Sequence, residues 1–97
     1  MCTYIVEKAE MMGSGKGQQG WFEVTQANVA YDHAIHAWLE HSLNIDFVNE
    51  AMGPNARVAV ELSADSARAL VKAILTALER GDDAHPTERS TKVPATV

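Results

Sequence analysis

Between Arg57 and Gly81 the apolar pattern changes period within a single residue. The run Arg57-Val58-Ala59-Val60-Glu61-Leu62 alternates, which puts Val58, Val60 and Leu62 on one face of a strand. From Ser63 the spacing becomes helical: Ala67, Leu70, Val71, Ile74, Ala77 and Leu78 recur on one side, and Arg68, Lys72, Thr76 and Glu79 cover the other. Ser63 is a suitable N-cap, and Asp65 sits in the first turn, where the helix dipole favours a carboxylate. Arg80 lies near the negative end, with Gly81 as the expected stop. A strand that runs straight into an amphipathic helix has two apolar faces to bury, and this predicts an α+β fold.

The upstream chain supplies further strands. His41, Leu43, Ile45 and Phe47 alternate with Ser42, Asn44 and Asp46, and Gly53-Pro54-Asn55 is a turn signal. Residues 41–49 and 57–62 should therefore form an antiparallel hairpin, with Asn44, Asp46, Arg57 and Glu61 on its polar face. That face is expected to meet solvent, the wall of a site, or a polar dimer contact. Trp21 to Val29 and Thr3 to Glu10 also read as strands. Between them, Met11 to Gly20 carries four glycines and reads as a flexible hairpin loop. It does not fit a phosphate-binding loop, because Gly17 stands where a hydroxyl should follow Lys16 and a strand follows in place of a helix.

Residues 33–41 allow two readings. As a helix capped by Asp32, they gather Ile35, Trp38 and Leu39 on one side and His33, His36 and Glu40 on the other. As a loop or single turn, they lead into a strand that begins near His41. The expected architecture is a four-stranded, mainly antiparallel sheet with the C-terminal helix packed on one face and a short helix at 33–40 as the variation. Residues 1–81 form a single domain. Residues 82–97 hold two of the three prolines and few large apolar side chains, and are expected to be a disordered tail. One helix covers one sheet face only, so a homodimer is expected.

Composition narrows the function classes. The chain has 97 residues and a formal charge of −5, and its eight Lys and Arg residues are scattered. Nucleic-acid binding needs a concentrated positive face and is not expected. No apolar run reaches the length of a membrane span, and the start of the chain lacks the plan of a signal peptide, so a cytoplasmic protein is expected. Cys2 is the only cysteine, which rules out an internal disulfide. It is either a small residue at the head of a strand or, after loss of Met1, an N-terminal nucleophile. Trp21 and Trp38 are read as core or interface residues, and Met11, Met12 and Met52 as gap-fillers.

Chemistry concentrates in Tyr31-Asp32-His33-Ala34-Ile35-His36-Ala37-Trp38-Leu39-Glu40-His41, which holds three of the four histidines. Imidazole changes charge near neutral pH and is the commonest metal ligand. In a metal reading, His33, His36 and His41 bind a divalent ion (zinc, iron or copper) and Glu40 serves as base; if the segment is helical, the set is His33, His36 and Glu40. The spacing differs from H-E-x-x-H. In a metal-free reading, His33 or His41 is a general base oriented by Glu40 or Asp46, and Tyr31 donates to a developing oxyanion. In a third reading, the histidines are surface residues of a non-catalytic chain.

Met1-Cys2-Thr3, Tyr31-Asp32-His33 with His36, Glu40-His41, Ile45-Asp46-Phe47 and the run from Arg57 to Ser63 resemble a family of small, uncharacterised actinobacterial proteins that often sit beside natural-product biosynthesis genes. The resemblance spans residues 1–81. It implies a biosynthetic role and assigns no residue a task. The expectation is a small enzyme of natural-product metabolism acting on a small organic molecule through the His/Glu cluster, by isomerisation, cyclisation or hydration. The alternative is a non-catalytic small-molecule-binding or accessory protein that docks a biosynthetic enzyme.

Overall fold

In the computed structural model, residues 5–35 and 38–85 are described. Four strands, β1 (Ile5–Gly17), β2 (Gly20–His33), β3 (His41–Val48) and β4 (Arg57–Leu62), precede one helix, α1 (Ala64–Ala84). The strands form one open sheet in the order β1-β2-β3-β4, and every neighbouring pair is antiparallel. The fold is α+β, with three consecutive hairpin connections and one C-terminal helix.

The glycine-rich stretch is strand, not loop. β1 runs to Gly17, and only Gln18 and Gln19 connect it to β2. Neither glutamine adopts positive φ; Gly20 does, at 110°, where a side chain would be strained. Met11 and Met12 together oppose Thr25, a bulge that bends β1 and strengthens its twist. The bend carries the end of β1 over to β4, the opposite edge. A Cβ on Gly15 would lie 2.9 Å from Val24 Cγ2 and 3.6 Å from Val58 Cγ2, and one on Gly17 would lie 3.4 Å from the Arg57 carbonyl oxygen. Glycines at alternate positions are what let the curled sheet close this far.

Inside the curl lies a small core of Phe22, Val24 and Ala56, with Phe47 and Val58 packed against it. Asn49 is buried beside it and ties the end of β3 to β2, its Nδ2 donating to the Glu23 carbonyl at 3.0 Å. Its Oδ1 accepts from Ala51 N at 3.2 Å and caps the 3-10 turn Glu50–Met52.

The register sorts the remaining sheet residues into two faces. One carries three apolar rungs: Tyr31–Leu43–Leu62, Val29–Ile45–Val60 and Ala27–Phe47–Val58. The other carries Ala30–Asn44–Glu61, Asn28–Asp46–Ala59 and Gln26–Val48–Arg57. Ser63 caps α1 as expected, its hydroxyl accepting from Ser66 N at 3.1 Å. The helix meets the sheet at its first turns, where Ala64, Ala67 and Arg68 line an open pocket of about 190 Å³ with Tyr31 and Leu43. From Arg68 to Gly81 every helix residue is exposed. The helix continues past Gly81 to Ala84; the rest of the segment read as a tail, from residue 86, lies outside the described residues. Among the described residues no helix is long and apolar enough to cross a membrane.

Candidate functional site

Of the two readings for residues 33–41, the described residues follow the loop. β2 extends to His33, β3 starts at His41, and these two residues are paired at the end of the ladder. Directly opposed residues of an antiparallel pair bring their side chains side by side. The two imidazole rings stack with centroids 4.7 Å apart and an interplanar angle of 27°. Tyr31 is two residues back on β2 and so shares their face; its ring stacks on His41 at 5.9 Å and 13°. Tyr31, His41 and His33 thus form one column of rings, with His41 in the middle. All three residues are exposed.

The loop is held at both ends. His33 Nδ1 lies 3.2 Å from the Glu40 carbonyl oxygen, and Asp32 Oδ1 accepts from His33 N at 2.7 Å. In the tautomer with its proton on Nδ1, His33 donates to Glu40 and presents an unprotonated Nε2. Further along, Ile35 N donates to Glu61 Oε2 at 3.0 Å, which anchors the loop to β4. The phenol of Tyr31 also borders the 190 Å³ pocket under α1, whose opposite wall includes Arg68. The Arg68 guanidinium lies 3.2 Å from Asp65 Oδ1.

The remaining residues nominated from sequence are distributed differently. Asp46 is on the opposite face from the ring column, paired with Arg57 (Nη2 to Oδ1, 2.7 Å). Glu40 touches His33 through its backbone. His36 and Cys2 lie outside the described residues. Among the described residues no three His, Cys, Asp or Glu side chains come together as metal ligands. Trp21 and Trp38 are 71% and 102% exposed, so neither belongs to the core of a single chain.

On the polar face, Ile35, Asn44, Asp46, Arg57, Ala59 and Glu61 line an open groove of about 560 Å³. Period-two alternation had already put Asn44, Asp46, Arg57 and Glu61 together. The Ile35–Glu61 link and the Arg68 wall have no local signal, because each depends on how the loop and helix leave the sheet.

No curated protein and no solved structure matches the chain. Residues 1–89, a span that includes all four strands and α1, match a described family, and the chain therefore belongs to DUF6295, a family of unknown function.

Proposed function

We propose that this chain is a small enzyme of natural-product metabolism that performs acid–base chemistry on a small organic molecule at the end of the β2–β3 ladder. The observation that carries the reading is the ring column, in which Tyr31, His41 and His33 stack beside a pocket that Tyr31 itself borders. His33, held through Nδ1 by the Glu40 carbonyl, presents Nε2 as the base that removes a proton from an acidic C–H or from water. Stacking keeps the middle ring, His41, in place to return a proton. The Tyr31 hydroxyl donates to the oxygen on which negative charge develops. Isomerisation, cyclisation and hydration all draw on these three roles. The biosynthetic setting rests on the resemblance of the His/Glu segment and of β4 to proteins encoded beside such pathways, and the chain is taken to work in the cytoplasm as a homodimer.

A metal-assisted version is favoured by the same pair. In it His33 and His41 would supply two imidazole ligands to one divalent ion, with His36, which lies outside the described residues, as the third. Metal analysis of untagged protein separates the two versions: about one equivalent of zinc, iron or copper per chain supports the second.

The catalytic reading is tested by deuterium uptake into a panel of β-diketones and β-keto acids in D2O, followed by proton NMR. Wild type is expected to accelerate uptake over buffer by about 10²-fold or more, the range of positioned acid–base groups, and His33→Ala to return it to the buffer rate. Equal uptake by wild type and His33→Ala removes that imidazole from the chemistry. No acceleration by wild type favours the non-catalytic, accessory reading.

A further inference from the structure

Gly13 is a strand glycine that the fold itself does not require. Its partner across the β1–β2 ladder is the buried Val24, so position 13 faces the inside of the curl. Its backbone does not need glycine, since among the described residues only Gly20 and Gly53 have positive φ. The neighbouring bulge consists of Met11 and Met12, and Gly13 is back in register. Gly15 and Gly17 are explained by contact, because a Cβ at either would press on Val24 or Phe22. A Cβ at Gly13 would meet nothing within 4 Å. The space beside it is an open pocket of about 280 Å³, to which all four strands contribute: Met11, Gly13 and Gly15 from β1, Val24 from β2, Phe47 from β3 and Val58 from β4. Val24, Phe47 and Val58 also belong to the core, so the floor of the pocket is the core itself.

We propose that this pocket binds a small neutral molecule with a flat aromatic body of one or two rings, laid against the backbone of Gly13 and Gly15. Glycine weakens a strand interior, and one physical reason to keep it there is the close approach of a ligand to the backbone. The walls suit an aromatic ring. Phe47 offers a ring contact, and Met11 is unbranched and adapts to the shape beside it. Volume sets the size. A cavity of about 150 Å³ holds one benzene, so this pocket has room for a fused pair of rings but not for a helix, which is about 10 Å across. Charge sets the sign. Lys16 is the one ionisable residue of the lining and is exposed, so an ionised ligand would find no buried partner. β1 is an edge strand, and the backbone groups that point away from β2 can bond one hydroxyl or ring N–H. The pocket and the ring column are separate sites. Phe47 and His41 are six residues apart on β3, roughly 20 Å along the strand, so ligand binding here does not depend on the chemistry proposed there.

The test uses the full chain, with indole as the probe. Titration followed by amide NMR is expected to give saturable shifts at Gly13, Gly15, Val24, Phe47 and Val58. Nuclear Overhauser contacts are expected from the indole ring to the Val24 and Val58 methyl groups, and this arm needs no variant. Gly13→Val fills the space with a branched side chain. It is expected to melt no lower than wild type, because a Cβ at this position has room, and to bind indole about ten-fold more weakly or worse. Four results would each overturn the proposal: shifts that climb linearly without saturating, shifts confined to the exposed stripe from Leu70 to Leu78, a Gly13→Val protein that binds indole as tightly as wild type, or Overhauser contacts in the free protein that show another segment of the chain already seated on Val24 and Val58.

Discussion

Arg57 reaches diagonally across the β3–β4 ladder to Asp46, placing Nη2 at 2.7 Å and Nε at 2.8 Å from the same carboxylate oxygen. The two side chains are 56% and 32% exposed, so water screens most of their attraction. Arg57→Ala or Asp46→Asn is expected to cost less than about 1 kcal/mol in urea unfolding, and less still in high salt. A loss above about 2 kcal/mol would mean that the polar groove is a stability element rather than a solvated face.

Asn49 should matter far more. It is 6% exposed and satisfies two backbone groups at once, the Glu23 carbonyl and the Ala51 amide. Asn49→Ala strands both, and the expected cost is about 1–3 kcal/mol. Asn49→Asp keeps the acceptor for Ala51 but turns a charged acceptor towards the Glu23 carbonyl, so at neutral pH its unfolding midpoint should fall at or below that of alanine.

Gly13 and Gly15 provide a matched pair on β1. A Cβ on Gly15 would press to 2.9 Å against the buried Val24, whereas one on Gly13 meets nothing within 4 Å. Gly15→Ala is expected to destabilise by about 1–3 kcal/mol through overpacking. Gly13→Ala should be neutral or gain up to about 1 kcal/mol by restricting the unfolded chain. Equal effects in chemical denaturation would contradict the close approach of Gly15 to Val24.

The same glycines show where the sequence misleads. Their density reads as a loop, but Gly13, Gly15 and Gly17 are two apart, which is the period of one strand face. The reason for Gly15 and Gly17, contact with Val24, Phe22 and the Arg57 backbone, is tertiary and leaves no mark nearby. By contrast, β3, β4 and the start of α1 were legible, because alternation around Ile45 and Val60 and the cap at Ser63 are local. The site was legible in part. Tyr31, His33 and His41 are all at odd positions and share a face, while Asp46 falls on the other. That sorting needed the β2–β3 register, and the short segment between His33 and His41 fits a helix or a loop equally well by pattern. The stripe from Leu70 to Leu78 looks like a packed face in the sequence yet is exposed, because amphipathicity says which side is apolar, not what lies against it.

Tyr31→Phe separates the phenol's hydroxyl from its ring. The stack on His41 persists, so folding should be unchanged by thermal melt, while deuterium uptake by the acid–base route should fall by about 10²-fold, the worth of one oxyanion donor. An unchanged uptake rate would confine Tyr31 to a packing role.

The most direct measurement of the central claim is long-range nitrogen–proton NMR of the histidine rings in the full chain at neutral pH. The account predicts that neutral His33 carries its proton on Nδ1, held by the Glu40 carbonyl, and that His41→Ala shifts the His33 ring protons by removing the stacked ring. A His33 found mainly as the Nε2–H tautomer, with ring signals indifferent to His41→Ala, would contradict it.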